Sequence, residues 1–245
     1  MKIKNSVILG LLDQLITTML AMPDKDYDLT KRQFSIEKDE AVSESYYTKQ
    51  HERTVATFPN TGPPEHHRGS DLLLGMEKKY FNDVKDINVQ IGCQLAANRN
   101  ALITFYPVGG YIAWHHNADV PGRNVLFTWS ENGQGSFKYR NDITGTNVSI
   151  PDSAGWSAKS LYYYGHGNAK QTGYSYHAAE TSCKRFTIAY VVSRPGDMKQ
   201  TSVITKRKSD GIDLPIDILP YQVAEMFETD FEIEPDKIYD EYMYL

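Results

Sequence analysis

The chain has 245 residues, 40% of them hydrophobic and 12% aromatic, enough for one large domain or a core with substantial flanks, which excludes wholesale disorder. Two cysteines, Cys93 and Cys183, exclude a disulfide framework and a cysteine-based zinc site, and make a reducing, cytoplasmic setting the expectation. The net charge of −5 is uneven: from Asp210 onward eleven acidic residues stand against Lys237 alone, leaving twenty acidic and twenty-five basic residues before it, too mild a balance to argue for nucleic acid.

The N-terminus imitates a secretory signal, with Met1-Lys-Ile-Lys-Asn5 ahead of an apolar run from Val7 to Leu12. Asp13 and Gln14 interrupt that run, and Ile16, Met19 and Leu20 return at helical spacing, so residues 5–20 are predicted to form an amphipathic helix. No stretch is long enough to span a membrane. Residues 23–68 are polar and irregular and end in a Pro/Gly-rich loop. Ser70 or Asp71 then caps a predicted helix running to about Phe81, with Leu72, Leu73, Met76 and Tyr80 on its buried side.

From Val89 strands dominate, at 89–95, 101–106, 111–115, 124–129, 135–139, 147–150, 160–164 and 185–192. Short strands punctuated by Gly, Pro, Asn and Asp predict an antiparallel sandwich or barrel, mainly β with flanking helices. After Pro195-Gly196, residues 199–208 predict a final strand or arm, and 220–228 a short amphipathic helix. The aromatic, acidic tail from Tyr239 to Leu245 is expected to dock on the body or on a partner. Three regions follow: 1–88, helices and loop buttressing the barrel; 89–195, the β core; and 196–245, a C-terminal arm and acidic tail.

Two histidines stand beside strand-like runs: His115, ending Tyr106-Pro-Val-Gly-Gly-Tyr-Ile-Ala-Trp-His115, and His177, opening His177-Ala-Ala-Glu-Thr-Ser-Cys-Lys-Arg185. Iron(II) held by two histidines and a carboxylate keeps open positions for oxygen and a co-substrate. Arg185, eight residues after His177, suits the far carboxylate of such a co-substrate. Thr187, one strand period on, adds a hydroxyl to the same face.

The stretch from Tyr106 to His115 resembles the entry to the metal site in the prolyl-hydroxylase branch of the iron(II)/2-oxoglutarate-dependent oxygenases. The segments 121–133 and 155–164 resemble that family's next strand and turn and the strand before its second histidine, so the resemblance covers roughly residues 100–195. It implies a double-stranded β-helix (a jelly-roll, cupin-like barrel) and three cofactors: iron(II), 2-oxoglutarate and O2 as co-substrate. It implies a dioxygenase that hydroxylates a protein side chain, a nucleobase or a small metabolite and releases succinate and CO2. By this resemblance His115 and His177 bind the metal, Arg185 and Thr187 bind the far carboxylate of 2-oxoglutarate, and Tyr106 hydrogen-bonds the co-substrate. The family's carboxylate would fall at position 117, where this chain has Asn117, with Asp119 two residues further. Asp119 reaches the metal if the chain bulges after His115; Asn117 is the alternative third ligand. A register through His116 would leave Ala118 in the carboxylate slot, as in related halogenases, but strand alternation puts His115 and His116 on opposite faces. The missing carboxylate at 117 motivates the alternative of a non-catalytic binding or assembly protein on the same fold.

Overall fold

The computed structural model describes residues 2–21, 36–57, 67–68, 70–71, 78–116, 122–141, 145–163, 176–193, 202–207, 213–216, 227–228 and 231–239. In chain order the elements begin with β1 (Lys2–Ile3), α1 (Ser6–Leu20), α2 (Lys38–Ala41), α3 (Glu44–Thr57), β2 (His67–Arg68), β3 (Ser70–Asp71) and α4 (Lys78–Gln94). The β core follows: β4 (Arg99–Tyr106), β5 (Tyr111–His115), β6 (Gly122–Ser130), β7 (Gly135–Asn141), β8 (Thr146–Pro151), β9 (Gly155–Tyr163), β10 (His177–Thr181) and β11 (Arg185–Ser193). Last come β12 (Ser202–Arg207), β13 (Asp213–Ile216), β14 (Phe227–Glu228) and β15 (Phe231–Tyr239).

The core strands form two antiparallel five-stranded sheets, in the orders β2-β5-β10-β7-β8 and β3-β4-β11-β6-β9. From β4 to β11 the chain passes back and forth between the sheets, except at the β7–β8 hairpin, which is the winding of a jelly roll. The expected barrel is not closed. Ladders run within each sheet and none joins the two among the described residues, so the sheets face each other as a sandwich with Leu126 and Ala189 meeting Phe137 and Ala179 between them. β12 pairs with β13 and β15 in a separate three-stranded sheet, and β14 pairs with β1.

Each sheet carries helices on its outer face. Asn5 caps α1, its side-chain oxygen accepting from the backbone N–H groups of Val7 and Ile8 at 3.0 Å each. Ile8, Leu12, Leu15 and Met19 of α1, with Val84 and Ile91 of α4, then pack on Phe105, Val125, Phe127, Phe186 and Ile188. On the other sheet, Ala41, Val42 and Tyr46 cover Tyr111, Ala113, Trp114, Tyr176 and Ala178. No helix among the described residues is long and apolar enough to cross a membrane.

Several sequence expectations fail at the N-terminal side. Residues 89–95 were expected to be a strand because Val89, Ile91, Cys93 and Leu95 alternate. They end a helix instead, because Val84, Ile87, Ile91 and Leu95 form a 3.6-period stripe that buries against the sheet, while Val89 is 54% exposed. The expected boundary at 88/89 therefore falls inside α4. The helix expected from Ser70 begins at Lys78, and Ser70–Asp71 is instead a strand pairing with β4. Part of the stretch expected to be irregular, 23–68, is helical as α2 and α3. Of the helix expected at 220–228, Phe227–Glu228 is a strand and the remainder lies outside the described residues, as does the tail beyond Tyr239.

Candidate active site between the sheets

Strict alternation along β5 would group Tyr111, Ala113 and His115 on one face. The ladder with β10 breaks this pattern. His177 pairs with His115 and Ala179 with Ile112, so two steps on β10 oppose three on β5, a β-bulge at Ala113-Trp114. Ile112 and His115 then both point between the sheets, while Tyr111, Ala113 and Trp114 join the core under α2 and α3. His116 also points outward, its Nε2 3.3 Å from the Thr54 hydroxyl and its ring 5.1 Å from that of Tyr176. His115 faces inward and His116 outward, as the sequence suggested, but through a bulge and not through unbroken alternation.

On the inner face the His115 and His177 rings lie 4.1 Å apart between centroids, both buried. His177 also stacks on Phe137 at 5.8 Å. His115 Nδ1 lies 2.8 Å from the carbonyl oxygen of Ala113, which requires Nδ1 to carry the proton and leaves Nε2 as the ring's lone-pair nitrogen. A neutral imidazole is the form that ligates a metal.

The far end of the interior is charged. β10 runs from His177 to Thr181, a rise of about 13 Å at strand spacing, and the chain turns back as β11 with Arg185 at its start. Arg185 is 1% exposed. Its Nε donates to Asp152 Oδ2 at 2.8 Å, and its Nη1 donates to the Thr187 hydroxyl at 2.8 Å, which turns the guanidinium back toward the histidine end. The Tyr106 ring lies beside it, 5.2 Å from Cζ, in cation–π contact. Lys159, from β9, donates to the other Asp152 oxygen at 3.1 Å. Asp152 sits in the crossover between β8 and β9, where the chain passes from one sheet to the other. Gly135 makes room for it: a Cβ there would stand 2.5 Å from Asp152 Oδ2.

Burial by itself would raise the Asp152 carboxyl, but the adjoining Arg185 and Lys159 outweigh it and hold the group below its ordinary value of 3.8. Burial lowers Lys159 from 10.5, and Arg185 lowers it further against the opposing pull of Asp152. Beside this cluster runs a row of hydroxyls. The register aligns Thr104, Thr187, Thr128 and Ser157 across β4, β11, β6 and β9. Thr104 and Thr128 are 0% and 1% exposed, and their hydroxyls have no hydrogen-bond partner among the described residues.

His115, His177, Arg185, Thr187 and Tyr106 thus all lie on the lining of one inter-sheet space. Tyr106 serves the guanidinium as a shelf, and Arg185 already meets a carboxylate of its own chain. Asp119 and Asn117 lie outside the described residues, and no cluster of three or more His, Cys, Asp or Glu side chains suited to a metal occurs among the described ones. Sequence reading missed Asp152 and Lys159. Pro151-Asp-Ser-Ala-Gly155 has the composition of a surface turn, and the only available signal was that Lys159 falls on the same strand face as Ser157.

No family profile and no curated protein matches the sequence. Among solved structures, the chain is similar to a rice dioxygenase for auxin oxidation at 13% identity, covering 80% of this chain and 75% of that one with a TM-score of 0.35. It is similar to a Pseudomonas putida prolyl-4-hydroxylase at 12% identity over 60% of this chain and 83% of that one, TM-score 0.29. A third likeness is to Drosophila melanogaster CENP-C bound to CAL1, at 8% identity and TM-score 0.25, covering 36% of this chain and 60% of that one. At these TM-scores the likenesses carry no functional weight; the jelly-roll winding rests on the strand order itself.

Proposed function

We propose that this chain is an iron(II)- and 2-oxoglutarate-dependent dioxygenase that hydroxylates a protein side chain, a nucleobase or a small metabolite. The observation behind the reading is the pairing of His115 with His177 on adjacent strands, rings 4.1 Å apart and turned inward by a bulge. The donor set suits iron(II): two neutral imidazoles, one with its tautomer set by a backbone carbonyl, with an oxygen ligand from Asp119 or Asn117.

In this reading Arg185 receives the far carboxylate of 2-oxoglutarate through the guanidinium edge not engaged by Asp152 and Thr187. Thr187 and Tyr106 fix the plane of that guanidinium, so the co-substrate is oriented before it reaches the histidines. Leu126, Phe137, Ala179 and Ala189 line the space between the sheets and keep water from its centre. Iron and 2-oxoglutarate, when bound, would let O2 hydroxylate an unactivated carbon, one oxygen atom entering the substrate and the other the succinate formed as CO2 is released.

Anaerobic titration of apo-protein with iron(II) and then 2-oxoglutarate tests the reading. The weak visible charge-transfer band of the chelate is expected in the wild type and absent in His115→Ala and Arg185→Ala. Succinate formation in air is expected to be abolished in His177→Ala. Folded, iron-loaded protein that shows no band overturns the proposal.

A further inference from the structure

Arg185 and Lys159 are 1% and 9% exposed, and the buried carboxylate between them, Asp152, is the only one among the described residues. Among the described residues, two cations and one anion give the floor of the inter-sheet space a net charge of +1. An uncompensated charge away from water is costly, and a structure that keeps one normally has an ion to meet it. Burial lowers Lys159 even though Asp152 pulls the other way, so its charge is held at a cost that an ion at the floor would offset. A second observation points the same way: Thr104 and Thr128, buried on either side of Thr187, have hydroxyls without a partner. They are donors for an oxygen that no described residue supplies. The place of Asp152 is built into the backbone, because only glycine at 135 leaves room for its carboxylate.

We propose that Asp152 and Lys159 are charge-setting residues of this floor: with Arg185 they fix its net charge at +1, so that it takes the singly charged carboxylate end of a small ligand and discriminates against a doubly charged end. Asp152 also positions Arg185, holding Nε so that the remaining edge of the guanidinium addresses the ligand. Identifying the ligand as 2-oxoglutarate rests on the function proposed above; the charge rule does not.

The test uses metal-free, full-length protein at neutral pH and two probes of similar length, butyrate with one negative charge and the difluoromethylene analogue of propylphosphonate, whose fluorines make it doubly charged there. Binding is followed by chemical-shift perturbation, with folding checked by circular dichroism. The wild type is expected to prefer butyrate by about tenfold or more. Asp152→Asn, which raises the floor to +2, should reverse that preference, and Lys159→Met, which neutralises it, should weaken butyrate by about tenfold. The double variant restores +1 and should recover most of the butyrate affinity, a rescue that merely structural roles would not give. A double variant no better than Lys159→Met overturns the proposal, as does a wild type that prefers the phosphonate or binds no butyrate. The wild-type comparison decides the matter even where a single variant does not fold. The iron–2-oxoglutarate band separates the two claims: the charge pattern without the band leaves this proposal standing and removes the dioxygenase reading, and the band without the pattern does the reverse.

Discussion

Acid titration reaches Asp152 through its two cations. Its carboxyl is held below 3.8 in the fold, so between that lowered value and the unfolded one the denatured chain binds the extra proton. Its contribution to stability is therefore complete above the unfolded value and is lost as pH falls through the folded one. Lys159, also lowered, gives a slope of the same sign in a different window: between its folded value and 10.5 the native state has already released a proton, so stability rises with pH there. Denaturant melts across pH should show the acid limb flattened in Asp152→Asn and the alkaline rise missing in Lys159→Met; unchanged limbs would refute the assignment. Sequence reading singled out His115, His177 and Arg185, each beside a strand-like run, and had no signal for Asp152 or Lys159. Asp152 sits in a turn, and nothing local distinguishes a turn exposed to water from one folded beneath a sheet.

β5 shows at the scale of an element how a right answer was reached by an incomplete route. Alternation alone placed His115 and His116 on opposite faces, which holds, but it also placed Tyr111 and Ala113 with His115, which the bulge undoes. A bulge adds one residue without a strong sequence signature, so parity counted across it fails. His116→Ala should leave iron binding as in the wild type while His115→Ala abolishes it; equal loss in both would mean that the outward assignment of His116 is wrong. The misreading of 89–95 has the complementary cause. Over seven residues a two-residue period fits Val89, Ile91, Cys93 and Leu95, whereas the helical stripe takes only Ile91 and Leu95 and shows itself once Val84 and Ile87 are included. The strands from β4 to β9 and β11 were readable because glycine and proline punctuate them; β10, only five residues long, was not separately identified.

For the whole molecule, the apolar core and the candidate site occupy different layers. The largest buried cluster lies outside the sheets, between α1, α4 and one sheet face, while the inner space carries hydroxyls and charge. Leu12→Ala, at a fully buried position of that outer core, should cost about 2–5 kcal/mol of stability while leaving the affinity of folded protein for iron unchanged, measured by denaturant melts and iron titration. A parallel loss of affinity would show that the layers are coupled. Under the proposed function, iron with 2-oxoglutarate should stabilise the folded state by about 2.7 kcal/mol at a hundredfold excess over Kd, read as a higher melting temperature. The sequence conveyed the two-sheet class, because alternation and turns are local; it could not convey that the sheets stay open, which depends on strand edges meeting or not meeting across the whole chain.

The bulge at Ala113-Trp114 also has a rear side. The residues next to the two inward histidines, His116 and Tyr176, meet each other on the opposite face of the same strands at 5.1 Å, under the seat of α3, where Thr54 touches His116 and Tyr47 and His51 meet Tyr176 edge to face. The gap between His115 and His177 is thus gauged from behind, like the jaws of a clamp set by a screw at the handle. β5 and β10 are distant in the chain and α3 backs both, so under the proposed function α3 would have to pack before the two histidines could share a metal.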